Sequence, residues 1–563
     1  MPALPANRLE PRWLTGFVTG AILFLCALPL LRLGVTGMRS AGSGGLASLA
    51  ADPALWPAFR NTLTTSAGGM AISVLLGGLF ALALTLCDLR FKRTLGILFM
   101  LPMMIPPQVT ALAWIGMSGP SSALLKAIGM APPLGSPQPL YSVGGIALLY
   151  GVQHAPLVYL TLRASLLALP RDAIEAARLS GASKGRVLRD IVLPLATPGL
   201  VAGAAIAFVS GIGNFGIPAI LGLPAGIATL PTLIYSRLTA FGAGTFGDIA
   251  MIAALIAVIA FAGLWVQERA LAGRDYRTIG HSGASAVFRL GSWGFALQIL
   301  LWLLVALMLF APFASLVAGS LAPAYGVRLT PDTATLDAYR EVLFRQSATR
   351  RAFANSFLLA AGAAVALGVV ALLTSYLLTR RRGPLARILA MLTEVPYALP
   401  GIVISVAFVL LFAAPVPFLG VSLYGTLWII LLAYLSSFLA VALKPVDSAF
   451  RQMDPVLEEA ARISGAGFGR RMRDILLPLV APSAAAGAVL VFLFACNELT
   501  VSALLWSAGT QTIGVVIYNL DDSGSFNLAA ALSVLVVLVV TALMLLLDLS
   551  GRWLPRGTVP WQN

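Results

Sequence analysis

Long apolar runs separated by short polar stretches organise this chain. They fall near 13–35, 59–86, 94–117, 141–166, 195–223 and 248–268, then near 291–319, 352–378, 387–413, 421–443, 479–506 and 527–548. As helix, a run of about 20 apolar residues crosses the ~30 Å hydrocarbon core of a bilayer. The pattern predicts an all-α polytopic membrane protein with about 12 transmembrane helices, six per half. The first run, Trp13 to Leu31, is too long for a signal-peptide core and lacks a small-residue cleavage site, so it reads as a retained helix.

Composition agrees. Of 563 residues, 59% are hydrophobic and 10% charged, against about 25% charged in soluble proteins. Cys26, Cys87 and Cys496 lie in or at the end of apolar runs, with no metal or disulfide spacing. The net charge of +15 invites a nucleic-acid reading, but its placement argues otherwise. With the N-terminus inside, 27 of the 37 Lys and Arg fall on inner segments. That bias is an orientation signal facing anionic lipid headgroups. It predicts a membrane protein with both termini cytoplasmic and no nucleic-acid partner.

The two halves repeat. Glu175-Ala176-Ala177-Arg178-Leu179-Ser180-Gly181 leads to Ile191-Val192-Leu193-Pro194; Glu459-Ala460-Ala461-Arg462-Ile463-Ser464-Gly465 leads to Ile475-Leu476-Leu477-Pro478. Phe59, Asn61, Pro102 and Pro106 recur as Phe353, Asn355, Pro396 and Pro400. The ten extra residues of the first half are expected in the outer loop 118–140. An even number of spans per half makes the repeat parallel, about an axis along the membrane normal. Each repeated polar stretch interrupts the apolar chain for about 28 residues between the fourth and fifth spans. Paired alanines beside Glu leave a low surface that a protein can approach. Gly181 and Gly465 permit a turn between two short helices. Pro194 and Pro478 are expected to restart a membrane helix at its first turn.

Both stretches resemble the EAA loop of binding-protein-dependent ABC importer permeases of type I, whose pattern is Glu-Ala-Ala, three residues, Gly, nine residues, Ile-x-Leu-Pro. The resemblance implies that each loop is a coupling helix seated in a separate ATPase subunit, two copies in all. The site residues it carries over are Glu175, Ala176, Ala177, Gly181, Ile191, Leu193 and Pro194, with Glu459, Ala460, Ala461, Gly465, Ile475, Leu477 and Pro478. It implies a fused pair: a tail, first helix and outer loop at 1–57, cores at 58–266 and 352–548, a cytoplasmic linker at 267–290, a peripheral helix and outer loop at 291–351, and a tail at 549–563. It also implies a bacterial inner-membrane location and a periplasmic substrate-binding protein as partner.

No catalytic engine is legible. A P-loop needs Gly-Lys-Ser/Thr, and none of Lys92, Lys126, Lys184 and Lys444 follows Gly. ATP and Mg are therefore expected on the partner, with no cofactor and no metal on this chain, and the chain is not an enzyme. His154 and His281 form no ligand cluster. Asn214, Asn497 and Glu498, on the fifth span of each core, are candidates to line the substrate pathway; interhelical hydrogen bonding or a helix end is the competing reading. Glu394 is a weaker candidate. Within the family, the segment from Asn497-Glu498-Leu499-Thr500 to Leu505, followed by Gly509-Thr510-Gln511-Thr512-Ile513 and Tyr518-Asn519-Leu520, looks most similar to the last-loop region of ferric-iron permeases. Fused permeases for thiamine and 2-aminoethylphosphonate share the architecture.

Overall fold

The computed structural model of the chain describes residues 11–550 except 134, 241–244, 273–287, 289, 382 and 416–419. Most of the expected linker and the C-terminal tail therefore lie outside the described residues. The first half contains α1 (Arg12–Ala50), α2 (Leu55–Leu86), α3 (Lys92–Met104), α4 (Pro107–Met117), α5 (Val143–Leu167), α6 (Arg171–Leu179), α7 (Lys184–Gly213), α8 (Leu230–Thr239) and α9 (Thr245–Leu271). The second contains α10 (Ser292–Leu321), α11 (Ser347–Arg380), α12 (Pro384–Ala398), α13 (Gly401–Phe412), α14 (Leu427–Gln452), α15 (Pro455–Ile463), α16 (Phe468–Cys496), α17 (Thr500–Leu505), α18 (Ile513–Asp522) and α19 (Phe526–Leu546).

Among the described residues, ten helices are long and apolar enough to cross a membrane. The expected third span of each half is not straight. The α3/α4 pair bends by 104° and the α12/α13 pair by 110°. Pro106 and Pro400 stand at the bends with extended backbone, because proline lacks the N–H and clashes with the preceding turn. Counting each pair as one span brings the total to twelve. A further bent pair, Pro218–Ala225 with α8, turns by 77° between α7 and α9. The expected fifth span also ends early: α7 stops at Gly213 and α16 at Cys496, not at 223 and 506. The first helix continues past 35 to Ala50, through a local break at Ser43 and Gly44.

Each half has a three-helix core, α2 with α5 and α7, and α11 with α14 and α16. Without water to expel, membrane helices associate by close packing of small residues. At Gly77 of α2, a Cβ would stand 2.4 Å from the Ala155 carbonyl oxygen of α5. The peripheral helices cross over between halves. α1 packs on α13, with Phe24 edge-on to Phe412 and Arg32 donating to the Leu410 carbonyl at 3.4 Å. α10 reciprocates, packing on α4 and α19. The halves differ in the connection after the bent span, residues 118–142 against 413–426, where the extra length was expected, and more strongly in the connection from peripheral to core helix, residues 51–54 against 322–346.

Candidate functional site

The two repeated loops form matched protrusions at one end of the bundle. α6 carries Glu175, Ala176 and Ala177; α15 carries Glu459, Ala460 and Ala461. Each helix ends in the same left-handed glycine turn. Gly181 has φ +82° and Gly465 φ +80°. In the first, the Gly181 N–H donates to the Arg178 carbonyl and the Ala182 N–H to the Ala177 carbonyl, both at 3.0 Å. The Gly465 and Ala466 N–H groups bond Arg462 and Ala461 identically. This double bond set closes the helix ends, and only glycine takes the required φ without strain. Glu175, Ala176, Gly181, Leu193 and Pro194 are exposed, as are Glu459, Ala460, Gly465, Leu477 and Pro478; Ala177, Ile191, Ala461 and Ile475 are half-buried.

The prolines do not restart helices as expected. The chain is continuously helical across them, from Lys184 and from Phe468 into the membrane. One wide turn precedes each: the Leu193 N–H reaches the Leu188 carbonyl and the Leu477 N–H the Met472 carbonyl, five residues back. The wide turn accommodates a ring that would otherwise clash with the carbonyl four residues earlier.

Two features of the loops were not anticipated. Leu179 and Ile463, at equivalent positions just before the glycine turns, are 90% and 89% exposed. Sequence periodicity marked them only as the residues after the basic Arg of each motif. Second, the loops are anchored differently. Glu458 is 6% exposed and sits between two cations. Arg380, the last residue of α11, lies 2.9 Å from its carboxylate, and Arg471 lies 3.7 Å away. These contacts are ion pairs without hydrogen-bond alignment. The Tyr376 hydroxyl donates to Glu458 Oε1 at 2.8 Å. In the first half the equivalent positions hold Ile174, Leu86, Val187 and Leu82; the first three are buried.

The residues at the ends of the fifth spans keep different company, and only Asn497 bonds across the two halves. The Asn497 side-chain amide donates to the Met104 carbonyl at 2.8 Å. That carbonyl is freed by the α3/α4 bend, so Asn497 ties the second half to the first. Asn214 bonds within its own half: its amide donates to Gln153 at 3.4 Å and its oxygen accepts from the Ile217 N–H at 3.1 Å. The Glu498 carboxylate accepts from the Val501 N–H at 2.8 Å and the Ser502 N–H at 3.2 Å, satisfying the free donors at the start of α17. Glu394 is exposed and pairs with Lys444 at 3.6 Å. His154 is buried in α5 beside Tyr150. Among the described residues no three His, Cys, Asp or Glu converge on a metal position.

Two equivalent bundles, each with one matched protruding loop, fit what sequence comparison finds. The family described as binding-protein-dependent transport system inner membrane component matches twice, at residues 73–269 and 364–559. The chain belongs to this family. It is an ABC transporter permease and an integral membrane protein, a transport component and not an enzyme by kinship. The permease is 28% identical over 554 residues to a probable ABC transporter permease protein of Sinorhizobium fredii, covering 94% of this chain and 92% of that one. It is 26% identical over 499 residues to a ferric transport system permease protein of Actinobacillus pleuropneumoniae, covering 87% and 70%. A putative 2-aminoethylphosphonate transport system permease protein of Salmonella typhimurium is 29% identical over 223 residues, 38% of this chain and 75% of that one.

Proposed function

We propose that this permease is the whole membrane half of an ATP-driven importer, receiving substrate from a periplasmic binding protein and releasing it to the cytoplasm. The observation that carries this reading is the pair of α6 and α15 loops, 284 residues apart and closed by the same glycine turn. Each loop seats in one ATPase subunit, so two ATPase copies supply ATP and Mg chemistry and this chain supplies no cofactor site. The loops and both termini lie on the cytoplasmic side. Leu179 and Ile463 act as the apolar knobs of the two contacts, with Glu175 and Glu459 on the adjoining turn. An exposed large aliphatic residue on a short rigid helix suits a pocket in a partner, where such anchors carry most of the binding energy.

Ferric iron is the proposed cargo, supported by the ferric relative that aligns over 87% of this chain. The partial alignment with 2-aminoethylphosphonate permeases supports that cargo as the second reading. Asn214, Asn497 and Glu498 border the substrate pathway at the seam between halves; unchanged transport in Glu498→Gln removes Glu498 from it. The decisive experiment is co-purification of the ATPase from native membranes with the Leu179→Asp/Ile463→Asp double variant. At least a tenfold loss of bound ATPase is expected, with the permease still folded and inserted. Full retention, or uptake that persists after ATP depletion, overturns the reading.

A further inference from the structure

The end of the bundle opposite the coupling loops holds a cavity of about 380 Å³ between the halves. The first half contributes Tyr141, just before α5; the second contributes Tyr325 and, from the last turns of α18, Tyr518, Asp521 and Asp522. Its donors are thus phenols and carboxylates, with no nitrogen or sulfur side chain among the lining residues. Below it, the rings of Phe215, Tyr235 and Tyr518 meet at 5.0 to 5.9 Å and close the seam. Tyr235 and Tyr518 occupy the same position on α8 and α18, one from each half, and stand edge-on at 90°. The cavity therefore ends on an aromatic plug at the two-fold seam, where a substrate path between halves must run.

The charge is uneven across this seam. At the matching end of α8, Arg237 pairs with Asp52 and with Asp248, at 2.8 Å for the latter. On α18, among the described residues, no cation lies within ion-pair distance of Asp521 or Asp522. Burial, and then the neighbouring Asp522, push the Asp521 carboxyl up to about 7. Tyr141 is pushed up to about 12 by burial and by the proximity of Tyr325 and Asp521. A half-buried carboxylate such as Asp521 is costly to keep ionised without a counter-charge, and a cation in the cavity supplies one to it and to the exposed Asp522 beside it.

We infer that this outer cavity is a receiving site for a hard, multiply charged metal cation, held by Asp521 and Asp522 with the phenol oxygens of Tyr141, Tyr325 and Tyr518. Hard cations take oxygen ligands. The volume accommodates about a dozen waters at roughly 30 Å³ each, so the ion enters with much of its hydration or chelating shell. No tight ligand cluster is built, which suits a station that must release what it binds. The inference rests on the importer reading above, and adds a cargo site on the permease itself.

The test uses the full permease in lipid nanodiscs, with ferric citrate as probe and retained iron counted after gel filtration. The isosteric Asp521→Asn/Asp522→Asn variant should lose at least tenfold in retained iron, and Tyr325→Phe a smaller, severalfold amount. ATPase co-purification should be unchanged in both, which certifies folding. Equal retention by parent and double variant overturns the proposal, as does preferential retention of 2-aminoethylphosphonate through its ammonium group. In either case intact ATPase binding leaves the importer reading standing, so the two failures are distinguishable.

Discussion

The two repeated loops share a backbone and differ in what fastens them to the membrane bundle. In the first, Ile174 of α6, Leu86 and Val187 are all buried apolar side chains. In the second, the same three positions hold Glu458, Arg380 and Arg471, joined by Tyr376. The outward face is conserved between loops within this one chain, down to the protruding Leu179 and Ile463. The surface offered to a partner is therefore held constant, while the anchoring chemistry is free to vary. An apolar anchor tolerates sliding, since dispersion contacts are non-directional. A buried ion cluster does not, because separating one partner leaves an uncompensated charge. The second loop should be the stiffer lever.

The largest break in that comparison comes from Glu458→Ala. It leaves two arginines facing each other in a buried site, a loss of about 3–5 kcal/mol. Backbone N–H groups within Pro455–Ile463 should then exchange with deuterium on the order of 10²–10⁴ times faster, with those of Arg171–Leu179 unchanged. The sharper version is the transplant Glu458→Ile/Arg380→Leu/Arg471→Val, which copies the first half. Replacing a buried ion cluster by apolar groups of similar volume is commonly neutral or stabilising, so exchange should return to the parent rate. If the triple variant is as loose as Glu458→Ala, the ion cluster is not what distinguishes the loops. Tyr376→Phe comes next. It removes one hydrogen bond to a charged acceptor, about 1.5–3 kcal/mol, and has no counterpart at Leu82. Faster exchange confined to the second loop is the expected outcome.

The parts of this architecture that were legible beforehand share a physical basis. Apolar runs announce helices because the bilayer leaves no other way to satisfy the backbone, and the doubled motif announced the loops because turn geometry constrains residue type locally. What escaped is non-local. Arg380 and Glu458 are 78 positions apart in the chain, and each alone reads as a surface charge near a helix end. The cavity needs Tyr141, Tyr325 and Asp521 together, drawn from two connections and the end of α18, which no periodicity relates. Of the four repeated prolines only Pro106 and Pro400 stand at bends, while Pro102 and Pro396 stay inside helices; the angles depend on what packs around them, including the Asn497 bond to Met104. Proline at Pro194 and Pro478 misled for a local reason: one wide turn absorbs the ring and keeps the helix unbroken.

The smallest effect tests the half of the comparison in which the loops should be alike. Gly181 and Gly465 share φ near +80°, and a Cβ at either would meet nothing within 4 Å. Substitution by Ala therefore costs only backbone strain, about 1–2 kcal/mol, with no steric term to set the two apart. Local exchange of each loop should rise severalfold to about thirtyfold, and by the same factor in Gly181→Ala as in Gly465→Ala. Equality is the informative result, because the anchors on either side differ so strongly. If Gly465→Ala were much better tolerated, the ion cluster would be reaching through α15 to hold the turn itself. The outward surface would then no longer be independent of its anchor, and the second loop would transmit partner movement through its charges as well as its backbone.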